Sequence, residues 1–481
     1  MDIETLPNEI LLEIIDLYLG KDNNEGIDPW YCMEGNQRDP YDAWYALVHV
    51  CQRWRYIVFA SPRRLNLRLH CSRRRLVRKT LDIWPAFPII IWDLADLILD
   101  EDNIIAALEQ HDRVCEIRLE CFSRSQSETL LPLMQESFPA LTNLQIESPS
   151  RDEPPLLLPD LLLGGCAPHL RFLSLQSVSF PALPNLLLSA SHLVYLYLCG
   201  IPSGYFPLEM VTALSALTKL ESMRLVFVYT DSDSDLRDPP SLPLKRSVLP
   251  ALKVLELQGD GECLDDFVAR IDVPSVIYLK IVFDDRPFFV VDFFHLPQFI
   301  GRVEKFRTLN HAELELGYHA MDVTLSLQDS QPGTLQLNFL CDTAGPLSSL
   351  MACNTSLLPL SNIEYFGIST RDSNRDSQSE FYMEDPLWLD VLRQFSAAKS
   401  LFLGSMHIVP PVAFTLKQVT EEGMTDVLPA IQKLSIYNSR SLQSGPVREA
   451  IEQFVAARGL LASENPAILE WGVRERDADD G

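Results

Sequence analysis

Apolar and polar positions alternate in short stretches that recur along most of the chain. The pattern is Leu-x-x-Leu-x-Leu, with other apolar residues in place of some leucines, and it starts at positions 114, 141, 170, 193, 220, 252, 276, 311, 363, 398 and 431. Alternation with period two predicts β-strands, and steps of mostly 23–35 residues predict stacked repeats. TLQLNF at 334 is a weaker candidate. FPALPNL at 180 is excluded, because Pro184 would break a strand there.

Amphipathic stretches with helical spacing fill several of the gaps between these strands, at 127–138, 207–217, 261–271, 386–398 and 446–459. Strand–helix alternation at this period predicts an α/β fold: a right-handed solenoid with a parallel sheet on its concave side. The region from about 110 to 460 resembles leucine-rich repeats. The asparagine or cysteine expected after each strand is replaced by other residues, namely Val178, Ile201, Val228 and Asp260. A non-repeat α/β domain with several parallel strands is the alternative.

The first 60 residues have a different pattern, with two helical stretches. In LPNEILLEII (6–15), Pro7 suits the first helical position and Glu9 suits the positive end of the helix dipole. We expect one apolar stripe on this helix, formed by Ile10, Leu11, Ile14 and Leu17 or Tyr18, and Gly20 can end the helix. The second stretch, which Asp42 could cap, places apolar residues at three- and four-residue steps: Leu47, Val50, Cys51, Trp54 and Val58.

These two stretches together resemble an F-box. The resemblance rests on Leu6-Pro7, on Val50-Cys51 followed by Trp54-Arg55, and on Ser61-Pro62. The acidic insertion at 21–43 is longer than the usual link, and it is similar to insertions in the expanded fungal F-box families. A plain helical hairpin that caps a larger domain is the alternative, although amphipathicity alone does not explain these residue combinations.

The resemblance implies a non-catalytic substrate receptor of an SCF-type cullin–RING ubiquitin ligase, which acts in ubiquitin-dependent protein degradation. A Skp-type adaptor would bind the box and connect it to the cullin and RING subunits, while the repeats would bind an unknown target protein. The adaptor contacts implied are Leu6, Pro7, Glu9, Ile10, Leu11, Ile14, Val50, Cys51, Trp54, Arg55 and Pro62. The alternative is an interaction module that uses the box without ubiquitination.

Composition narrows these possibilities. The net charge of −26 argues against nucleic acid as a partner, although ten basic and no acidic residues lie between Arg53 and Lys79. That basic stretch is either a solvated face or a complement to an acidic adaptor. The ten cysteines include no C-x-x-C pair, and the acidic N-terminus has no signal-peptide pattern. We therefore expect reduced cysteines, no membrane attachment, and a cytoplasmic or nuclear location.

No catalytic motif was found, so we expect no enzyme activity, no cofactor and no metal. Asp231, Asp233 and Asp235 alternate as in a calcium-binding loop, but Leu236 and Leu242 occupy the positions where such a loop needs glycine and glutamate. The composition of the Ser/Asp-rich segment at 371–385 predicts a disordered insert, and a modification site is the alternative.

The predicted organisation is an F-box at 1–70, a connecting segment at 71–110, the solenoid at 111–460 and an acidic tail at 461–481. We expect the connecting segment to join the box rigidly to the first repeat. Target binding is predicted on strand residues that point away from the core, because exposed aromatic side chains offer large, rigid contact areas. The candidates are Phe172, Tyr195, Tyr197, Tyr278, Tyr365, Phe402 and Tyr437.

Overall fold

A computed structural model gives the positions of most of the 481 residues. It describes residues 6–19, 43–61, 67–71, 78, 81, 86–93, 101–120, 122, 124–148, 155–202, 208–228, 246–284, 293–317, 320–327, 333–340, 360–371, 385–405, 407–437, 445–459 and 469–472. The chain divides into two compact units, Met1–Leu193 and Val194–Gly481. Both units are mixed α/β, and their sheets are mostly parallel.

The first unit starts with three helices and continues as a parallel sheet. Its described helices α1–α6 are Asn8–Leu19, Ala43–Val48, Gln52–Ala60, Asp102–Leu108, Arg124–Leu130 and Leu183–Ser189. Its strands β1–β7 are Leu69–Cys71, Ile89–Asp93, Val114–Leu119, Asn143–Glu147, Leu156–Leu157, Phe172–Gln176 and Val178–Ser179. The parallel sheet has the order β1-β2-β3-β4-β6, while β5 and β7 form a separate pair.

The second unit extends the same strand–helix alternation. Its described strands β8–β20 are Tyr195–Pro202, Ser222–Val228, Ser247–Val248, Val254–Gly259, Ile271–Asp272, Tyr278–Phe283, His311–Leu316, Ala320–Ser326, Thr334–Leu340, Tyr365–Thr370, Ser400–Leu403, Lys433–Tyr437 and Leu469–Gly472. Its helices α7–α12 are Leu208–Leu214, Gly261–Ala269, Leu296–Arg302, Asp385–Gln394, Val409–Glu421 and Pro446–Ala457. Strands β10 and β12 pair separately from the large sheet.

The large sheet of the second unit departs from a simple repeat in the middle. Its order is β8-β9-β11-β13-β16-β15-β14-β17-β18-β19-β20. Strand β15 is antiparallel to both of its neighbours, β14 and β16, whereas β16 runs parallel to β13 and β14 runs parallel to β17. The expectation of an uninterrupted parallel sheet is therefore wrong here. The three strands β14, β15 and β16 form a meander, which is inserted between β13 and β17.

The meander fits the sheet because all of its strands keep the same apolar register. One row of buried residues crosses the sheet through paired positions: Leu225, Leu257, Ile281, Leu337, Val323, Leu314, Ile368, Leu403 and Ile436. Successive side chains of a strand point to opposite faces, so polar residues form the neighbouring rows on the other face. An antiparallel β15 can still place its apolar residues on the buried face, because the alternation of side chains is the same in either chain direction.

Each of the eleven strands predicted from the repeat is present, and the weaker candidate at 334 is a full strand. The excluded segment at 180 is not a strand: Pro184 lies in the first turn of helix α6. Strands β1 and β2 precede the predicted start of the solenoid at 111, and β15 was not predicted. The predicted acidic tail is corrected in part, since Leu469–Gly472 pairs in parallel with β19.

Helices are present at all five predicted positions, with shifted ends. The stretch at 127–138 is a helix from Arg124 to Leu130 and then a 3-10 turn at Leu133–Gln135. Helix α11 was not predicted, although Pro410 and Pro411 occupy its first turn, where proline is tolerated. Asp260, which replaces the expected asparagine, caps helix α8 by accepting a hydrogen bond from the Cys263 backbone N–H at 2.9 Å.

Cysteine burial gives a prediction for solution chemistry. Cys71 in β1 is fully buried, and burial raises its pKa to about 12 while Arg113 acts in the opposite direction. We expect iodoacetamide at about pH 8 to label the exposed Cys166 and to leave Cys71 unlabelled until urea unfolds the chain, as measured by mass spectrometry. The folded state favours the neutral thiol of Cys71. The contribution of this thiol to the free energy of unfolding is therefore full below pH 9.0, its ordinary pKa, and is lost as the pH rises from 9.0 toward about 12. Rapid native-state labelling of Cys71 would contradict the assignment.

Candidate interaction surfaces

Helix α1 presents apolar residues on two adjacent faces. Leu11 and Ile15 are fully buried, whereas Ile10 is 46% and Ile14 is 37% exposed. Leu17 and Tyr18 continue the exposed face, because residues three and four apart are neighbours on a helix. We call Ile10, Ile14, Leu17 and Tyr18 the outer stripe. The single stripe predicted from the sequence is thus corrected: Leu11 belongs to the internal packing and offers no surface to a partner.

The second helical stretch is two helices instead of one. Helix α2 ends at Val48, and α3 starts after Cys51, whose Sγ accepts a hydrogen bond from the Trp54 backbone N–H at 3.5 Å. Arg55 Nε donates to the Val48 carbonyl at 2.9 Å across this turn. Cys51 and Arg55, both predicted adaptor contacts, therefore shape the turn. Val50 within the turn is 58% exposed.

Arg53 holds the start of α1 against α3. Its Nη2 donates to Asn8 Oδ1 at 2.8 Å and to the Leu6 carbonyl oxygen, and its Nε donates to Asn8 Oδ1 at 3.3 Å. The Pro7 carbonyl then accepts the first helical bond, from Leu11 N–H at 3.1 Å. This arrangement orients the outer stripe through Arg53, which is not one of the predicted adaptor contacts.

The contacts of Arg53 lead to a prediction. We expect Arg53→Met to lower the free energy of unfolding by about 1 kcal/mol, since these hydrogen bonds are partly exposed to solvent. Hydrogen exchange should accelerate in α1 (Asn8–Leu19). Arg55→Met is the control, because it removes an arginine whose bond lies within the turn between α2 and α3. Unchanged exchange in α1 would show that Arg53 does not position it.

An aromatic cluster attaches α2 and α3 to the sheet of the same unit. Phe87, which is 1% exposed, precedes strand β2. Its ring lies 5.6 Å from the ring of Trp44 in α2, edge to face, and 5.6 Å from the ring of Phe59 in α3. Such pairs add about 0.5–1.5 kcal/mol beyond burial. The contacts join the connecting segment to α2 and α3, and the rigid junction expected from the sequence stays a prediction.

Other predicted positions on the helices lie at or near the surface. Glu9 is exposed, Pro7 is exposed and Leu6 is half-buried. Trp54 is also half-buried, and Pro62 lies outside the described residues. Tyr56 on α3 was not predicted, and it is 70% exposed.

Four residues of the basic stretch are described, and all four have partners within the chain. Besides Arg53 and Arg55, Arg68 lies 3.9 Å from Glu116 and Arg78 lies 3.9 Å from Glu109. The other six basic residues of the stretch lie outside the described part of the chain. The basic charge of the four described residues is therefore engaged within the chain. The prediction that this stretch complements an acidic adaptor depends mainly on the other six residues.

In the first unit, the polar face of the sheet centres on Trp92. Its indole Nε1 donates to Glu116 Oε1 at 3.1 Å, and the guanidinium of Arg118 lies 4.8 Å from its ring centroid. Arg118 also pairs with Glu116 at 2.6 Å, so two donors hold the carboxylate of this buried residue. Phe172, a predicted target contact, is half-buried on β6. Trp92 was missed because its strand was assigned to the connecting segment.

In the second unit, the predicted aromatic residues divide into two groups. Tyr195 is half-buried, and Tyr197 is only 7% exposed, with the guanidinium of Arg224 5.0 Å from its ring. The Tyr278 hydroxyl donates to Gln336 Oε1 at 3.0 Å. Burial, and then Glu256, raise the pKa of Tyr278. Tyr197 therefore contributes little contact area.

The second group lies beyond the meander. The ring of Tyr365 stacks on that of His311, with centroids 4.1 Å apart and planes 5° apart. Phe402 is half-buried on β18, and the side chain of Tyr437 lies outside the described residues. The three strands of the meander lie between the strand of Tyr278 and the strand of Tyr365.

The described residues contain no cluster of histidine, cysteine, aspartate or glutamate that could hold a metal ion. The calcium-like segment at 231–235 lies outside them, as does the loop at 372–384. Within the described part of the chain, no helix has the length and apolar character needed to cross a bilayer.

Comparison with models of known protein families finds no match to this chain, and comparison with characterised proteins finds none either. The functional argument therefore depends on the surfaces described above.

Proposed function

We propose that this chain is the target-binding subunit of an SCF-type cullin–RING ubiquitin ligase. The observation that carries the proposal is the exposed outer stripe of α1, held in a defined orientation by Arg53. Exposed apolar stripes of this kind are typical of helices that pack against a partner. The Leu6-Pro7 start and the Val50-Cys51, Trp54-Arg55 combination make a Skp-type adaptor the proposed partner.

In this proposal the chain supplies binding and no catalysis. The adaptor connects the helices to the cullin and RING subunits, and the sheet faces bind a target protein. The aromatic cluster around Phe87 supports the role, because it packs α2 and α3 against the start of β2 in the first unit. Ubiquitin transfer would then be performed by other subunits on lysines of the bound target.

Co-purification tests the proposal. The full chain, expressed with a Skp-type adaptor and cullin, should purify with both, and the double substitution Leu6→Ala and Pro7→Ala should abolish adaptor capture while circular dichroism stays unchanged. Adaptor capture that survives this substitution would refute the role of the box. A reconstituted ligase that captures a target without ubiquitinating it would favour an interaction module instead.

A further inference from the structure

We draw no further inference here: the strongest candidate, the pair of arginines Arg246 and Arg302 beside the last turn of helix α8 in the second unit, carries none, because both guanidinium groups already donate to backbone carbonyl oxygens at the end of this helix, Arg302 also pairs with Asp272, and no other feature of the described residues there points to a bound anion.

Discussion

Replacing Ile10 and Ile14 together by glutamate is expected to reduce affinity for the Skp-type adaptor by about 100-fold or more. Two central apolar contacts of an interface commonly contribute about 2 kcal/mol each, and every 1.4 kcal/mol is tenfold in affinity. Both side chains are exposed in the free chain, so the substitutions leave the packing of Leu11 and Ile15 intact. Calorimetry or biolayer interferometry with purified adaptor measures the loss.

The matched control also replaces two exposed apolar residues by glutamate, but at positions outside the three helices. Leu188 and Val248 are exposed apolar residues, at 52% and 45%, outside the three helices. Replacing both by glutamate should leave adaptor affinity within about twofold, because surface substitutions away from an interface are nearly neutral. Circular dichroism must show that both double variants fold. An adaptor affinity unaffected by the α1 substitutions would exclude the outer stripe as the docking surface.

Replacing Phe87 by alanine is expected to have the largest effect on stability. Truncating a fully buried phenylalanine costs about 3–5 kcal/mol, because apolar burial is lost and a cavity remains. The ring also joins Trp44 and Phe59 to the start of β2, so the helices should lose their attachment to the sheet. Hydrogen exchange of residues 43–60 should rise sharply, and thermal unfolding should begin at a lower temperature.

Two variants test whether this effect is specific. Phe87→Leu keeps most of the volume and should cost about 1 kcal/mol. Phe366→Ala removes an equally buried ring, which stacks on Phe395 at 3.7 Å in the second unit. It should destabilise that unit and leave exchange of residues 43–60 unchanged. Equal exchange in Phe87→Ala and Phe366→Ala would mean that Phe87 does not anchor the helices.

The repeat pattern predicted the strands well because alternation is local. Leu255 and Leu257, for example, lie two residues apart and therefore point to the same face of the sheet, which is the covered face. Their spacing alone is sufficient to predict a strand. The spacing of the predicted strands also indicates the meander. The step from 311 to 363 is 52 residues, and it contains two alternating stretches, AMDVTLS at 320–326 and TLQLNFL at 334–340, separated by seven residues.

The outer stripe shows the limit of that local information. Ile10, Leu11, Ile14 and Ile15 are almost equally apolar, so amphipathicity predicts a helix without saying which side is packed. Helices α2 and α3 decide this, because they cover Leu11 and Ile15 and leave Ile10 and Ile14 exposed. A residue such as Arg53, which acts through contacts 45 and 47 residues away, gives no local signal.

The sequence by itself determined the α/β class, the repeated strands, most of the helices and the helical character of the first 60 residues, since each follows from spacing within a single element. Only the tertiary structure decided which α1 residues are exposed and where the meander interrupts the sheet. The physical reason is the same in each case. Burial and hydrogen bonding depend on which elements become neighbours, and strand order is set by long-range pairing that no local pattern records.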